Sequence, residues 1–118
     1  MHLEIRARPR LSEALKHTIE RRMAFALGRF GARVSAVTVW LSDANGPRGG
    51  VDKVCQVQVA LAAGPSVRVE DTDSDLYAAI ARAADRVGRA VARDLARRRD
   101  VGGLTLRDLS ARATRGIR

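Results

Sequence analysis

The chain is poor in the residues that carry most catalytic and metal chemistry. Its 118 residues include one cysteine, Cys55, and two histidines, His2 and His17. A single thiol excludes an internal disulfide and a cysteine-built metal site. These three residues share no nucleophile or zinc-binding spacing, and no nucleophile elbow is present. No catalytic residue, metal ligand or cofactor is therefore expected, and a non-enzymatic binding protein is. His2 and His17 are read as incidental, and Cys55 as a small core hydrophobe. Aromatic residues make up only 3% of the chain. The core must then be built from Val, Leu, Ile and Ala, and base stacking is at most a minor term in any nucleic-acid contact. No apolar run approaches the ~20 residues of a membrane helix. The N-terminal Met1-His2-Leu3-Glu4 lacks the basic-then-apolar layout of a signal peptide. Length and composition thus predict a single cytoplasmic domain with no membrane partner.

Acidic residues are also scarce, 13 against 22 basic ones, for a formal net charge of +9. Such an excess points to a polyanionic partner, most often nucleic acid. The charge is unevenly spread. Residues 1–30 carry 7 basic and 3 acidic side chains, residues 31–74 carry 4 and 5, residues 75–99 carry 7 and 3, and residues 100–118 carry 4 and 2. A neutral middle therefore lies between basic flanks.

Hydrophobic periodicity places that middle in a sheet. Leu3, Ile5 and Ala7 alternate with polar residues as a strand that Pro9 ends. Ser12 then caps a helix with the apolar stripe Leu15, Ile19, Met23, Ala26 and Phe30, and Gly31 suits its stop. Val34–Leu41, about Lys53–Leu61, and Val67–Val69 read as three further strands. The loop of residues 43–50 joins the first two of these, and Ala63-Gly64-Pro65 turns into the third. Gly46, Gly49 and Gly50 form no phosphate-binding fingerprint, because no Gly-Lys-Ser/Thr follows. Asp71–Asp75 opens a second helix, with Asp73 or Ser74 as its cap and acids at the positive end of its dipole. The same acids begin like a calcium loop, but Leu76 and Arg82 stand where that loop needs Gly and Glu. The stripe Leu76, Ile80, Ala83, Val87, Ala90 and Val91 carries this helix to about Arg99. The expected fold is α+β, in the order β-α-β-β-β-α. Its four-stranded mixed sheet has strands one and two parallel, and both helices pack on one face. Residues 1–99 form the domain, and residues 100–118 form a basic tail expected to be mobile.

The second helix carries the most informative pattern. Arg82, Arg86, Arg89, Arg93 and Arg97 recur at spacings of 4, 3, 4 and 4. At 100° per residue they fall within a sector of about 80° and extend over about 22 Å. Like charges four residues apart weaken a helix slightly, and Asp85 is one acid among these five bases. The ridge is either an ordinary solvated face or a surface for an anion such as RNA phosphates. On the first helix, Arg21, Arg22 and Arg29 surround Phe25, which lies off the apolar stripe. Phe25 either packs sideways on a neighbouring element or stacks on a base.

Asp75-Leu76-Tyr77-Ala78-Ala79-Ile80, followed by Ala84-Asp85-Arg86-Val87-Gly88-Arg89-Ala90-Val91, resembles the second-helix segment of the ribosome hibernation-promoting factors. These are also called ribosome-associated inhibitors, or the sigma-54 modulation protein family. Ser12-Glu13-Ala14-Leu15-Lys16 is similar to that family's first-helix opening, and the likeness covers about residues 1–99. The resemblance implies a non-enzymatic factor of starvation or stationary phase. Such a factor binds the small ribosomal subunit, covers the tRNA and mRNA sites on 16S rRNA, and inhibits translation. The positions matching the family's basic residues are Lys16, Arg22, Arg86, Arg89 and Arg93. Phe25 stands where the family has a base one turn after Arg22. With only about 19 residues after Arg99, the chain resembles the family's short form. The RNA-binding set expected from pattern and resemblance together is Lys16, Arg21, Arg22, Arg29, Arg82, Arg86, Arg89, Arg93 and Arg97.

Two other readings remain open from the residues. A general double-stranded RNA-binding module shares the α-β-β-β-α part of the element order and would read groove shape. A weak homodimer would use the sheet face that carries Trp40, which alternation places opposite Val37, Val39 and Leu41. Trp40 is either exposed there or partly covered by Lys, Arg or Gln stems. Arg107, Arg112, Arg115 and Arg118 in the tail would add non-specific attraction to RNA.

Overall fold

The computed structural model describes residues 1–8, 11–43 and 53–102. Pro9, the residue 44–50 loop and the tail beyond residue 102 lie outside the described residues. Strand β1 (His2–Ala7) leads to helix α1 (Glu13–Leu27) and a 3-10 turn (Gly28–Arg33). Strands β2 (Val34–Asp43), β3 (Lys53–Leu61) and β4 (Val67–Asp73) follow, and helix α2 (Leu76–Gly102) ends the described chain. The sheet order is β1-β2-β3-β4, with β1 parallel to β2 and the other pairs antiparallel. The fold is the expected α+β arrangement, and no described helix is long and apolar enough to cross a membrane.

Period-two alternation sorts the sheet into two faces. Val37, Val39 and Leu41 of β2 and Cys55, Val57, Val59 and Leu61 of β3 are buried. They form one cluster with Ile19, Met23 and Leu27 of α1 and Ile80, Val87 and Val91 of α2. Both helices therefore cover the same face. Phe30 is the only aromatic ring in this otherwise aliphatic core.

Three local expectations are corrected. Helix α1 stops at Leu27, and the chain continues as a 3-10 turn in which Gly31 adopts φ 57°. Only glycine takes that left-handed conformation without steric cost. Leu27, rather than Ala26, completes the buried stripe of α1, while Ala26 turns sideways towards α2. Finally, β4 runs through Asp73, and the cap of α2 is Asp75. The Asp75 side chain accepts from Tyr77 N at 3.0 Å, and its carbonyl accepts from Ala79 N at 3.1 Å. The Ser12 cap is as expected, with its hydroxyl accepting from Leu15 N at 3.1 Å.

Gly88 is where α1 and α2 meet most closely. A Cβ built there would lie 3.1 Å from the Ala26 carbonyl oxygen and 3.4 Å from the Ala26 Cβ. A branched side chain has no room against a backbone atom, so the helices would have to separate. Gly88→Val is expected to destabilise the protein by about 1–3 kcal/mol, the usual cost of overpacking. Urea unfolding followed by circular dichroism measures it, and an unchanged midpoint would refute the close approach.

Cys55 is fully buried, and burial, with the Asp71 charge second, pushes its thiol up to about 12. The reactive species is the thiolate. Iodoacetamide at pH 8 is expected to leave the native protein unlabelled and to label it fully in denaturant. Rapid native labelling would contradict the placement of Cys55.

Candidate nucleic-acid interface

The outer surface of the two-helix layer is where the basic flanks of the chain converge. Arg22 of α1, Arg29 of the following turn, and Arg82 and Arg89 of α2 line one groove of about 730 Å³. Ala26, Ala81, Ala84 and Gly88 also line it, and Phe25 stands at its side. The groove exists because the apolar stripes of both helices are spent on the sheet, which leaves small residues and cations along the helix seam.

The expected site residues divide by their partners. Arg82 is held by β4: its Nε donates to Asp71 Oδ1 at 3.0 Å, and its Nη2 donates to Asp73 Oδ2 at 2.6 Å and to the Thr72 carbonyl at 3.1 Å. Arg86 donates through Nη1 to the Glu70 carbonyl at 2.6 Å and to Asp71 Oδ2 at 3.1 Å. Arg89 pairs with Asp85 at 2.6 Å, and Arg97 with Asp94 at 3.0 Å. Arg29 lies over the Phe30 ring, 4.7 Å from its centroid. Lys16, Arg21, Arg22 and Arg93 are exposed and make no ion pair among the described residues. Lys16, Arg21, Arg86, Arg93 and Arg97 do not line the groove.

The ridge on α2 is thus not five bases relieved by one acid. Asp71, Asp73, Asp85 and Asp94 all answer it. Sequence pattern alone assigns these two strand acids to the start of α2. The alternation that puts Val67 and Val69 on the helix-facing side of β4 continues to Asp71 and Asp73, and was the signal that could have found them.

Phe25 does not pack on a neighbour. It is 90% exposed, against 46% for Tyr77. Trp40 is half-buried, with Arg68 placed over its ring at 5.7 Å. In register beside it are Arg6 on β1 and Gln56 on β3. Partial cover by Arg and Gln stems is therefore the arrangement found.

Fold and surface together define a small α+β protein with a cationic two-helix layer over a mixed sheet. The chain belongs to the sigma 54 modulation protein / S30EA ribosomal protein family, whose model matches residues 3–99. It is similar to the N-terminal domain of Protein Y from Thermus thermophilus, with 31% identity and a TM-score of 0.64. That match covers 79% of this chain and 98% of the other. A ribosomal subunit interface protein from Coxiella burnetii shares the fold, with 15% identity and a TM-score of 0.67 over 81% of this chain and 99% of the other. No curated protein sequence matches the chain significantly.

The clamp between β4 and α2 makes stability sensitive to acid. The hydrogen bond from Arg82, and then the Asp75 backbone N–H, hold the Asp73 carboxyl below its ordinary 3.8. A carboxylate lowered in the folded state adds stability above its unfolded value, and loses it as pH falls towards the folded one. The urea midpoint is expected to be steady from about pH 7 to 5 and to fall below about pH 4. Asp73→Asn is expected to lower the midpoint at neutral pH and to converge with wild type in acid. A gap that persists unchanged below about pH 2 would refute this role for Asp73.

Proposed function

We propose that the protein is a ribosome hibernation factor acting in the cytoplasm. On this reading residues 1–99 bind the small ribosomal subunit at the tRNA and mRNA sites of 16S rRNA, and inhibit translation under stress or in stationary phase. The observation that carries the proposal is the convergence of arginines from both helices on one face, in a chain of a ribosome-associated family. The contacts are made by Lys16, Arg21, Arg22, Arg29, Arg82, Arg86, Arg89, Arg93 and Arg97. Lys16, Arg21, Arg22 and Arg93 are the most available, because no acid of the described chain pairs with them. Arg82 and Arg86 are pre-positioned by β4. Their side chains remain about half exposed, and each guanidinium has more donors than its acids occupy.

Phosphate contact predicts a particular response to salt. Each phosphate neutralised releases counterions, so log K falls with log salt by about 0.7–0.9 per contact. Purified protein is expected to cosediment with small subunits at about 50 mM salt and to be largely released at about 200 mM, and to lower translation in vitro. The triple variant Arg22→Glu, Arg89→Glu, Arg93→Glu is expected to lose both activities while unfolding at the wild-type temperature. Retained cosedimentation in that variant would sink the assignment of this face. Displacement from subunits by free duplex RNA would instead identify a general duplex-binding module.

A further inference from the structure

We propose that the groove between α1 and α2 receives one unpaired RNA base, stacked on Phe25, with neighbouring phosphates on Arg22, Arg29 and Arg89. The identity of the RNA rests on the function proposed above, whereas the stacking site rests on the groove itself. Phe25 has no folding role, since the buried stripe of α1 is Leu15, Ile19, Met23 and Leu27, and Phe25 stands 90% exposed outside it. An aromatic ring left in water at a groove lined by four arginines combines the two features of single-strand binding sites: a π-face for a base and cations for its backbone. The groove volume, about 730 Å³, lies within the ~300–1,000 Å³ range of clefts that enclose small ligands. Alanines and Gly88 line it, so a flat ring meets little steric obstruction.

The occupant must be unpaired, because a duplex keeps its base faces stacked inside the helix. A second copy of this chain is a poor occupant. An isologous contact here would bring Arg22, Arg29, Arg82 and Arg89 against the same four cations. The one acid lining the groove, Asp85, is already paired with Arg89.

The test uses the full chain. In a Trp40→Phe background, Phe25→Trp places the sole indole in the groove. Single-stranded oligoadenylate is expected to quench its emission at low salt, and an RNA duplex of equal phosphate number is expected to quench it several-fold less. Phe25→Ala is expected to weaken binding of oligoadenylate and of small subunits by roughly 5- to 100-fold. Its salt slope should stay unchanged, because no phosphate contact is lost, whereas Arg22→Ala should make the slope shallower by about 0.7. Phe25→Leu keeps an apolar side chain but no π-face, and is expected to bind as weakly as Phe25→Ala. Since the ring is exposed, thermal unfolding of Phe25→Ala should match wild type.

Binding of Phe25→Ala within twofold of wild type would overturn the proposal. So would equal quenching by duplex, or a dimer that Phe25→Ala converts to monomer. Stacking on oligoadenylate without cosedimentation would uphold the groove and sink the ribosomal reading. Cosedimentation insensitive to Phe25 would do the reverse.

Discussion

The two helices touch where Gly88 of α2 lies against the Ala26 carbonyl of α1. Much of the surface arrangement depends on that approach. Glycine inside a helix costs about 1 kcal/mol relative to alanine, and packing of both apolar stripes on one sheet face offsets it. Ile19, Met23 and Leu27 from α1 then share a core with Ile80, Val87 and Val91 from α2. With the helices this close, Arg22 and Arg29 line the same groove as Arg82 and Arg89. A bulkier contact would part the helices and spread the four charges over two separate surfaces.

Such a concentration of cations needs internal relief, and β4 supplies it. Asp71 and Asp73 follow Val67 and Val69 on the helix-facing side of the strand and meet Arg82 and Arg86 there. The pairs do not remove these arginines from the surface. The two guanidinium groups are about half exposed, and each has donors its acids do not occupy, so a phosphate can add to them without displacing Asp71. The Asp71 side chain is only 11% exposed and pairs with both Arg82 and Arg86. The clamp therefore orients two members of the ridge, while Lys16, Arg21, Arg22 and Arg93 carry charge that no described acid pairs with.

The sheet was legible in the sequence because alternation and turn signals agreed along it. Val37, Val39, Leu41, Cys55, Val57 and Val59 were placed on the helix-covered face, and all six are buried. The helix ends were harder to read. Leu27 and Phe30 are both buried, so hydrophobic spacing cannot distinguish a helix running to Gly31 from one that tightens into a 3-10 turn at Gly28. The acids of residues 71–75 suit a helix start equally well by dipole and by capping. Only the strand register, Cys55 opposite Asp71 and Lys53 opposite Asp73, assigns the first of them to β4. For the cationic surface, spacing identified which arginines share a helix face. It did not show their partners, because Asp71 and Asp73 come from a different element. Nor could it decide the fate of Phe25, since an off-stripe ring is covered or bare according to where the neighbouring helix ends up.

The exposed ring also changes how the cationic face should behave as salt rises. Counterion release makes every phosphate contact weaker in salt, while stacking of a base on a ring carries no such dependence. A face built only from arginines would lose its ligand uniformly as salt increases. If Phe25 stacks a base as proposed, the face keeps a residual preference for unpaired bases after most electrostatic affinity is gone. Trp40, by contrast, lies on the opposite face of the sheet and is already engaged by Arg68. Phe25, 90% exposed beside the groove arginines, offers a stacking surface whose contribution salt does not screen as it screens theirs.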